Sequence, residues 1–103
     1  VNLPDTGDRT PPGAPSGLTA VSLEDFCGSV LLNWTQPSDP DQLEFELYRN
    51  GAFFDVVVGV TNAFVYAGPG TSTWHVVAVD RSGNSSAPSN TARVTTNADE
   101  NLC

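Results

Sequence analysis

Few side chains in this chain could do chemistry. There is one histidine, His75. It alternates with Trp74 and Val76, which places it on the outward side of an extended segment. A Ser–His or Cys–His nucleophile pair would have to use this histidine, and no serine or cysteine stands at a matched spacing. Carboxylates come in two pairs, Asp39 with Asp41 and Glu44 with Glu46. Glycoside hydrolysis needs two carboxylates facing each other across a cleft. The first pair reads instead as a solvated loop and the second as a solvated strand face. Asp39, Asp41 and Glu44 carry oxygens of the kind calcium takes. A calcium site draws on roughly six to eight such ligands, and Pro40 stiffens the loop without adding one. Asp80 and Asn84 flank a polar turn, where their expected role is to bond local backbone groups. The expectation is therefore no catalytic residue, no metal and no cofactor.

The elements that would position these residues are short strands. Thr71 to Thr96 reads as two strands around a tight turn: Trp74, Val76 and Ala78 alternate with Thr73, His75 and Val77, Asp80-Arg81-Ser82-Gly83-Asn84 supplies the turn, and Asn90 to Thr96 returns. Leu18 to Leu23 is a first strand and Val30, Leu32 and Trp34 point inward from a second. Glu44 to Arg49 is a third strand. Asn50-Gly51 is a strong hairpin signal of type I′, leading back into Ala52 to Val58. Ala63 to Tyr66 is a short fifth strand, with Phe64 expected inward. The whole pattern predicts an all-β, seven-stranded antiparallel β-sandwich.

Composition narrows the function classes. Twelve acids against four arginines (Arg9, Arg49, Arg81 and Arg93), with no lysine, give 103 residues a net charge of −8. Phosphate binding needs a basic patch, so nucleic acid is not an expected partner, and neither is an anionic membrane surface. No apolar run approaches the ~20 residues that span a bilayer. No signal peptide is visible at Val1, and the chain reads as a piece of a larger protein. Residues 1–16 hold four prolines and two glycines and read as a linker or lead-in. Residues 17–97 form the sandwich, and residues 98–103 are a tail carrying Cys103. In Ala52 to Val60, Phe53, Phe54 and three consecutive valines cannot all face inward, so part of this stretch must be exposed or covered, and unfolded it is prone to β-aggregation.

From Pro12 to Thr96 the chain resembles the fibronectin type III family, an immunoglobulin-like sandwich. The residues that carry the resemblance are PPGAPSGLTA, SVLLNW followed by Pro37, FELYRNG at Phe45 to Gly51, GPGT at Gly68 to Thr71, and HVVAVDRSGNSSAPSN at His75 to Asn90. The turns around YRNG and AVDRSGN resemble the form found in secreted bacterial enzymes. Where many members have a tyrosine pinning the corner between the fifth and sixth strands, this chain has Ser72, so that corner is expected to be weakened or rearranged.

The resemblance implies several further expectations. It places Cys27 and Cys103 near the same pole of the sandwich, close enough for a disulfide of ~4–5 kcal/mol in the ideal loop-closure model; two free thiols, or pairing of Cys103 outside this piece, are the alternatives. It puts Tyr48, His75, Val77 and Val79 on one outward face, with Glu44 and Glu46 nearby, as a contact surface. Two tripeptides, at Asn33 and Asn84, match the glycosylation pattern, which matters only in a eukaryotic source. The implied role is a non-enzymatic, extracellular accessory or spacer module of a larger secreted bacterial protein, acting on carbohydrate through that protein. Its implied partners are neighbouring domains of the same polypeptide, with the isolated domain a monomer. The alternative is an adhesion or recognition module that binds a polysaccharide or another extracellular protein through the Tyr48 face or the loops near Asp39 and Arg81.

Overall fold

In a computed structural model, residues 10–23, 28–37 and 43–96 are described. Seven strands run in chain order: β1 (Ser16–Leu23), β2 (Ser29–Thr35), β3 (Glu44–Arg49), β4 (Ala52–Val58), β5 (Asn62–Tyr66), β6 (Gly70–Val79) and β7 (Ala92–Thr96). They form a three-stranded sheet of order β1-β2-β5 and a four-stranded sheet of order β4-β3-β6-β7. Every named pairing is antiparallel. The alternating residues of both sheets meet in the middle. Val30, Leu32 and Trp34 of β2 face Phe45 and Leu47 of β3, all buried, and the Trp34 and Phe45 rings meet across the sheets at 5.4 Å.

The β3–β4 turn follows from its residues. Asn50 and Gly51 both take positive φ, 52° and 85°, the pair of left-handed conformations that a type I′ hairpin requires. Asn50 also extends the β3–β6 ladder: its N–H donates to the Thr73 carbonyl at 2.8 Å and its Oδ1 accepts from the Thr73 N–H at 2.9 Å. Beyond the turn, the register shifts between Leu47 and Tyr48, which pair with Asp55 and Phe53. The extra residue in this bulge is Phe54. It turns onto Trp74, at 5.0 Å and edge to face, while Phe53 turns outward. A bulge thus splits two consecutive phenylalanines between the core and the surface.

Phe64 does not face inward. It is 60% exposed, and Ala63 and Val65 are the buried residues of β5. The register explains this: Val65 pairs with Val30 and Ala63 with Leu32, both core residues of β2, so Phe64 lies beside Leu31 on the outer face. The last strand also begins later than Asn90, at Ala92. Pro88 has no N–H to offer a ladder, and serines take over the pairing. Ser89 exchanges hydrogen bonds with Val76, its N–H donating to the carbonyl and its Oγ accepting from the N–H, each at 2.9 Å. Ser86 does the same with Ala78 at 2.8 and 2.9 Å. Asn90 bridges the two sheets: its Oδ1 accepts from the Leu18 N–H at 2.9 Å and its Nδ2 donates to the Leu18 carbonyl at 3.0 Å.

The corner between β5 and β6 is contacted from the last strand. The Thr96 hydroxyl, buried at the end of β7, contacts the Gly68 carbonyl and lies 3.1 Å from that of Gly70. Before β1 the chain already packs on the sandwich. Pro15 is fully buried, and Gln36 donates to the Gly13 carbonyl at 2.8 Å. Cys27 and Cys103, like Asp39 and Asp41, lie outside the described residues.

Candidate functional site

The outer face of the four-stranded sheet brings together the four residues expected there. Tyr48 pairs with His75, Glu46 with Val77 and Glu44 with Val79 across β3 and β6. Side chains in register on one face stand next to each other, and Tyr48 and His75 stack with centroids 4.7 Å apart and planes 3° from parallel. On its other flank Tyr48 meets Phe53 of β4 edge to face at 6.0 Å. Its hydroxyl donates to Glu46 Oε1 at 2.9 Å. That hydrogen bond, with lesser help from desolvation and the Glu46 charge, raises the Tyr48 phenol above its ordinary value of 10.0.

This arrangement limits what the face can do. A sugar stacks on an open aromatic face, but Tyr48 is flanked by rings on both sides and its hydroxyl is engaged. Glu44 and Glu46 stand side by side on one strand rather than across a cleft, and among the described residues no three His, Cys, Asp or Glu side chains gather as a metal site. What the face does offer is apolar contact area. The alternation of β4 adds Val56 and Val58 beside Glu46 and Glu44, and both are exposed, as is Phe53 at 59%. The sequence places this face on the third, sixth and seventh strands and omits β4; the signal for β4 is its run of valines, which cannot all face inward.

In the last hairpin, Asp80 and Asn84 bond the turn itself. Asp80 Oδ1 accepts from the N–H groups of Ser82 and Asn84, and Asn84 Nδ2 donates to Asp80 Oδ2 at 3.0 Å.

The outer face of the three-stranded sheet is a second surface. Val21 pairs with Leu31 and Leu31 with Phe64, forming an apolar row across three strands. Ser29 pairs with Tyr66, and Asn33 with both Thr19 and Asn62. Tyr66 is 65% exposed. Its ring lies against Gly28, where a Cβ would come 2.8 Å from Tyr66 Cε1, and Gly28 also takes φ of 80°.

No family model matches the sequence. The chain is 37% identical over 99 residues to a chitinase of Paenibacillus xylanexedens, a match that covers 88% of this chain and 17% of the chitinase; the chain therefore spans about a sixth of that relative's length. Among solved structures it is similar to the family 28 exopolygalacturonase of Yersinia enterocolitica, with a TM-score of 0.70 at 16% identity over 84% of this chain and 20% of that one. It is also similar to an Fn3-like protein of Clostridium thermocellum, with a TM-score of 0.64 at 20% identity over 82% of this chain and 92% of that one. At such identities the likeness to the solved structures is one of fold.

Proposed function

Given that this chain has the fibronectin type III fold, we propose that it is a non-catalytic accessory module of a secreted, carbohydrate-active enzyme, spacing that enzyme's domains or packing beside one of them. The observation that carries this reading is the match to a chitinase along most of this chain but only 17% of that enzyme. A module that recurs inside a much longer hydrolase, with an interior filled by Trp74, Phe45 and Leu47, has its role in the longer protein. The exposed face around Tyr48, Phe53, Val56 and Val58 supports packing beside a neighbouring domain, because a monomer of this size gains nothing from an exposed apolar strip.

The test is turnover. Incubated with soluble N-acetylglucosamine oligomers, this chain should release no new reducing ends; release above a heat-denatured control would overturn the reading. A second reading, a recognition module that binds an extracellular protein through the same face, is favoured by the contiguity of Tyr48, His75, Val77 and Val79. It requires saturable binding that Tyr48→Ala abolishes.

A further inference from the structure

The two outer faces of the sandwich differ in charge. The chain carries a net charge of −8, and the four-stranded face holds its share: Glu44 and Glu46 on β3, and exposed Arg93 on β7. The described outer face of the three-stranded sheet holds no charged residue. Its β1 positions are Thr19, Val21 and Leu23; its β2 positions are Ser29, Leu31, Asn33 and Thr35; its β5 positions are Asn62, Phe64 and Tyr66. On so acidic a protein, a described sheet face without charge fits a partner without charge, and the residues present name the chemistry. Phe64 and Tyr66, 60% and 65% exposed, are two residues apart on one strand, so their Cα atoms lie about 6–7 Å apart on one face. Rings displayed in series suit the apolar faces of successive sugar rings. The amides of Asn33 and Asn62, paired in register and exposed, supply donors and acceptors for hydroxyl and acetamido groups. Tyr66 is also held in place: its ring rests on Gly28, where no side chain larger than hydrogen fits.

We infer that the outer face of β1, β2 and β5 is a binding surface for a neutral polysaccharide, with Phe64 and Tyr66 as its stacking residues and Asn33 and Asn62 as its hydrogen-bonding residues. Resting on the accessory-module reading above, the polymer is of the chitin class, a chain of N-acetylated, uncharged sugars. The Tyr48 face does not contribute, because its central ring is flanked by His75 and Phe53.

The test is a depletion isotherm of this chain on insoluble chitin, with polygalacturonate as an anionic polymer for comparison. Retention should be saturable on chitin and absent on polygalacturonate. The Phe64→Ala/Tyr66→Ala double variant should bind chitin more weakly by roughly tenfold or more, while Tyr48→Ala binds as the parent does. Both aromatic side chains are exposed, so the double variant should unfold at a temperature close to the parent's, and Asn33→Ala, which removes hydrogen bonding and leaves the rings, should give an intermediate loss. No retention of the parent on chitin, equal retention of the double variant, or a concentration-dependent dimer that the double variant abolishes would each overturn the proposal. If chitin binding fails and turnover is also absent, the accessory-module reading survives and only this surface is lost; if turnover is found, that reading itself falls.

Discussion

Trp74 donates its indole N–H to the hydroxyl of Ser72, two residues earlier on the same face of β6, at 2.9 Å and out of contact with water. Trp74 is the largest fully buried side chain, and its one polar atom is satisfied by the smallest residue able to do so. Ser72→Ala leaves the indole donor buried without an acceptor. Such a loss costs about 1–3 kcal/mol, which for a domain of this size lowers Tm by about 4–8 °C per kcal/mol. Thermal unfolding of the variant checks it; an unchanged Tm would mean the indole finds another acceptor.

The corner between β5 and β6 makes a separate prediction. Thr96 reaches back from β7 to the Gly68 and Gly70 carbonyls, so the corner is pinned from the last strand. Thr96→Val keeps the shape and removes the hydroxyl. The expected cost is about 1 kcal/mol, measured by denaturant unfolding, with faster hydrogen exchange confined to amides around Ala67 to Thr71. Faster exchange spread evenly over the sandwich would refute a local pin.

Asn90 is the side chain that joins the sheets outside the core, because both its amide groups bond the Leu18 backbone. Asn90→Ala removes two hydrogen bonds at once, while Asn90→Asp keeps the acceptor and loses the donor to the Leu18 carbonyl. The alanine variant should be destabilised by about 1–3 kcal/mol and the aspartate variant by less. Equal losses would show that the acceptor contributes nothing.

How far the sequence reveals this fold depends on the strand. In β3, Glu46 separates the core positions Phe45 and Leu47; in β2 and β6, Asn33 and His75 mark the outward side although Leu31 and Val77 on that side are apolar, so alternation separates inside from outside. In β5 both faces are apolar, and size misleads: the larger Phe64 lies outside while Ala63 lies inside, because the register with Val30 and Leu32 decides. Ser86, Ser89 and Asn90 imitate backbone pairing with side chains, which leaves no periodic trace in a sequence. The Tyr48–His75 pair was legible because each strand alternates clearly and the family resemblance paired the strands. The uncharged face of β1, β2 and β5 was not, because it emerges only once three separate strands are placed side by side.

The hydrogen bond from Tyr48 to Glu46 predicts a pH dependence. The phenol is raised above its ordinary value first by that bond, so the folded state holds the proton more tightly than the unfolded state does. The stabilisation is therefore complete below the unfolded phenol value, near pH 10, and is lost as pH rises through the raised folded value. Glu46→Ala removes the leading cause, so Tyr48 should titrate closer to an ordinary phenol, and alkaline unfolding should begin at higher pH relative to the variant's own stability at neutral pH. Tyrosine ring NMR, assigned with Tyr66→Phe, reads the Tyr48 titration directly. A titration unchanged by Glu46→Ala would assign the shift to burial instead.

The edge of the four-stranded sheet gives the last prediction. Among the described strands β4 pairs with β3 alone and forms the edge of its sheet; the Val56 N–H donates to Asp55 Oδ1 at 2.8 Å, while Phe53, Val56 and Val58 are exposed on the outer face. An apolar edge recruits strands from other molecules, and natural sheets blunt such edges with bulges and charge, most often lysine; β4 has a bulge at Phe54 and one charge, Asp55, but its Val56–Val58 end carries neither, and the chain has no lysine. Val58→Lys places a cation on the edge beside Glu44, its register partner. Val58 is 65% exposed, so the change should alter stability by no more than about 0.5 kcal/mol. Aggregation on heating, followed by light scattering at matched unfolded fraction, should slow markedly. If the variant aggregated as fast as the parent while keeping its stability, association would begin elsewhere, and the uncharged face of β1, β2 and β5 would be the next surface to charge.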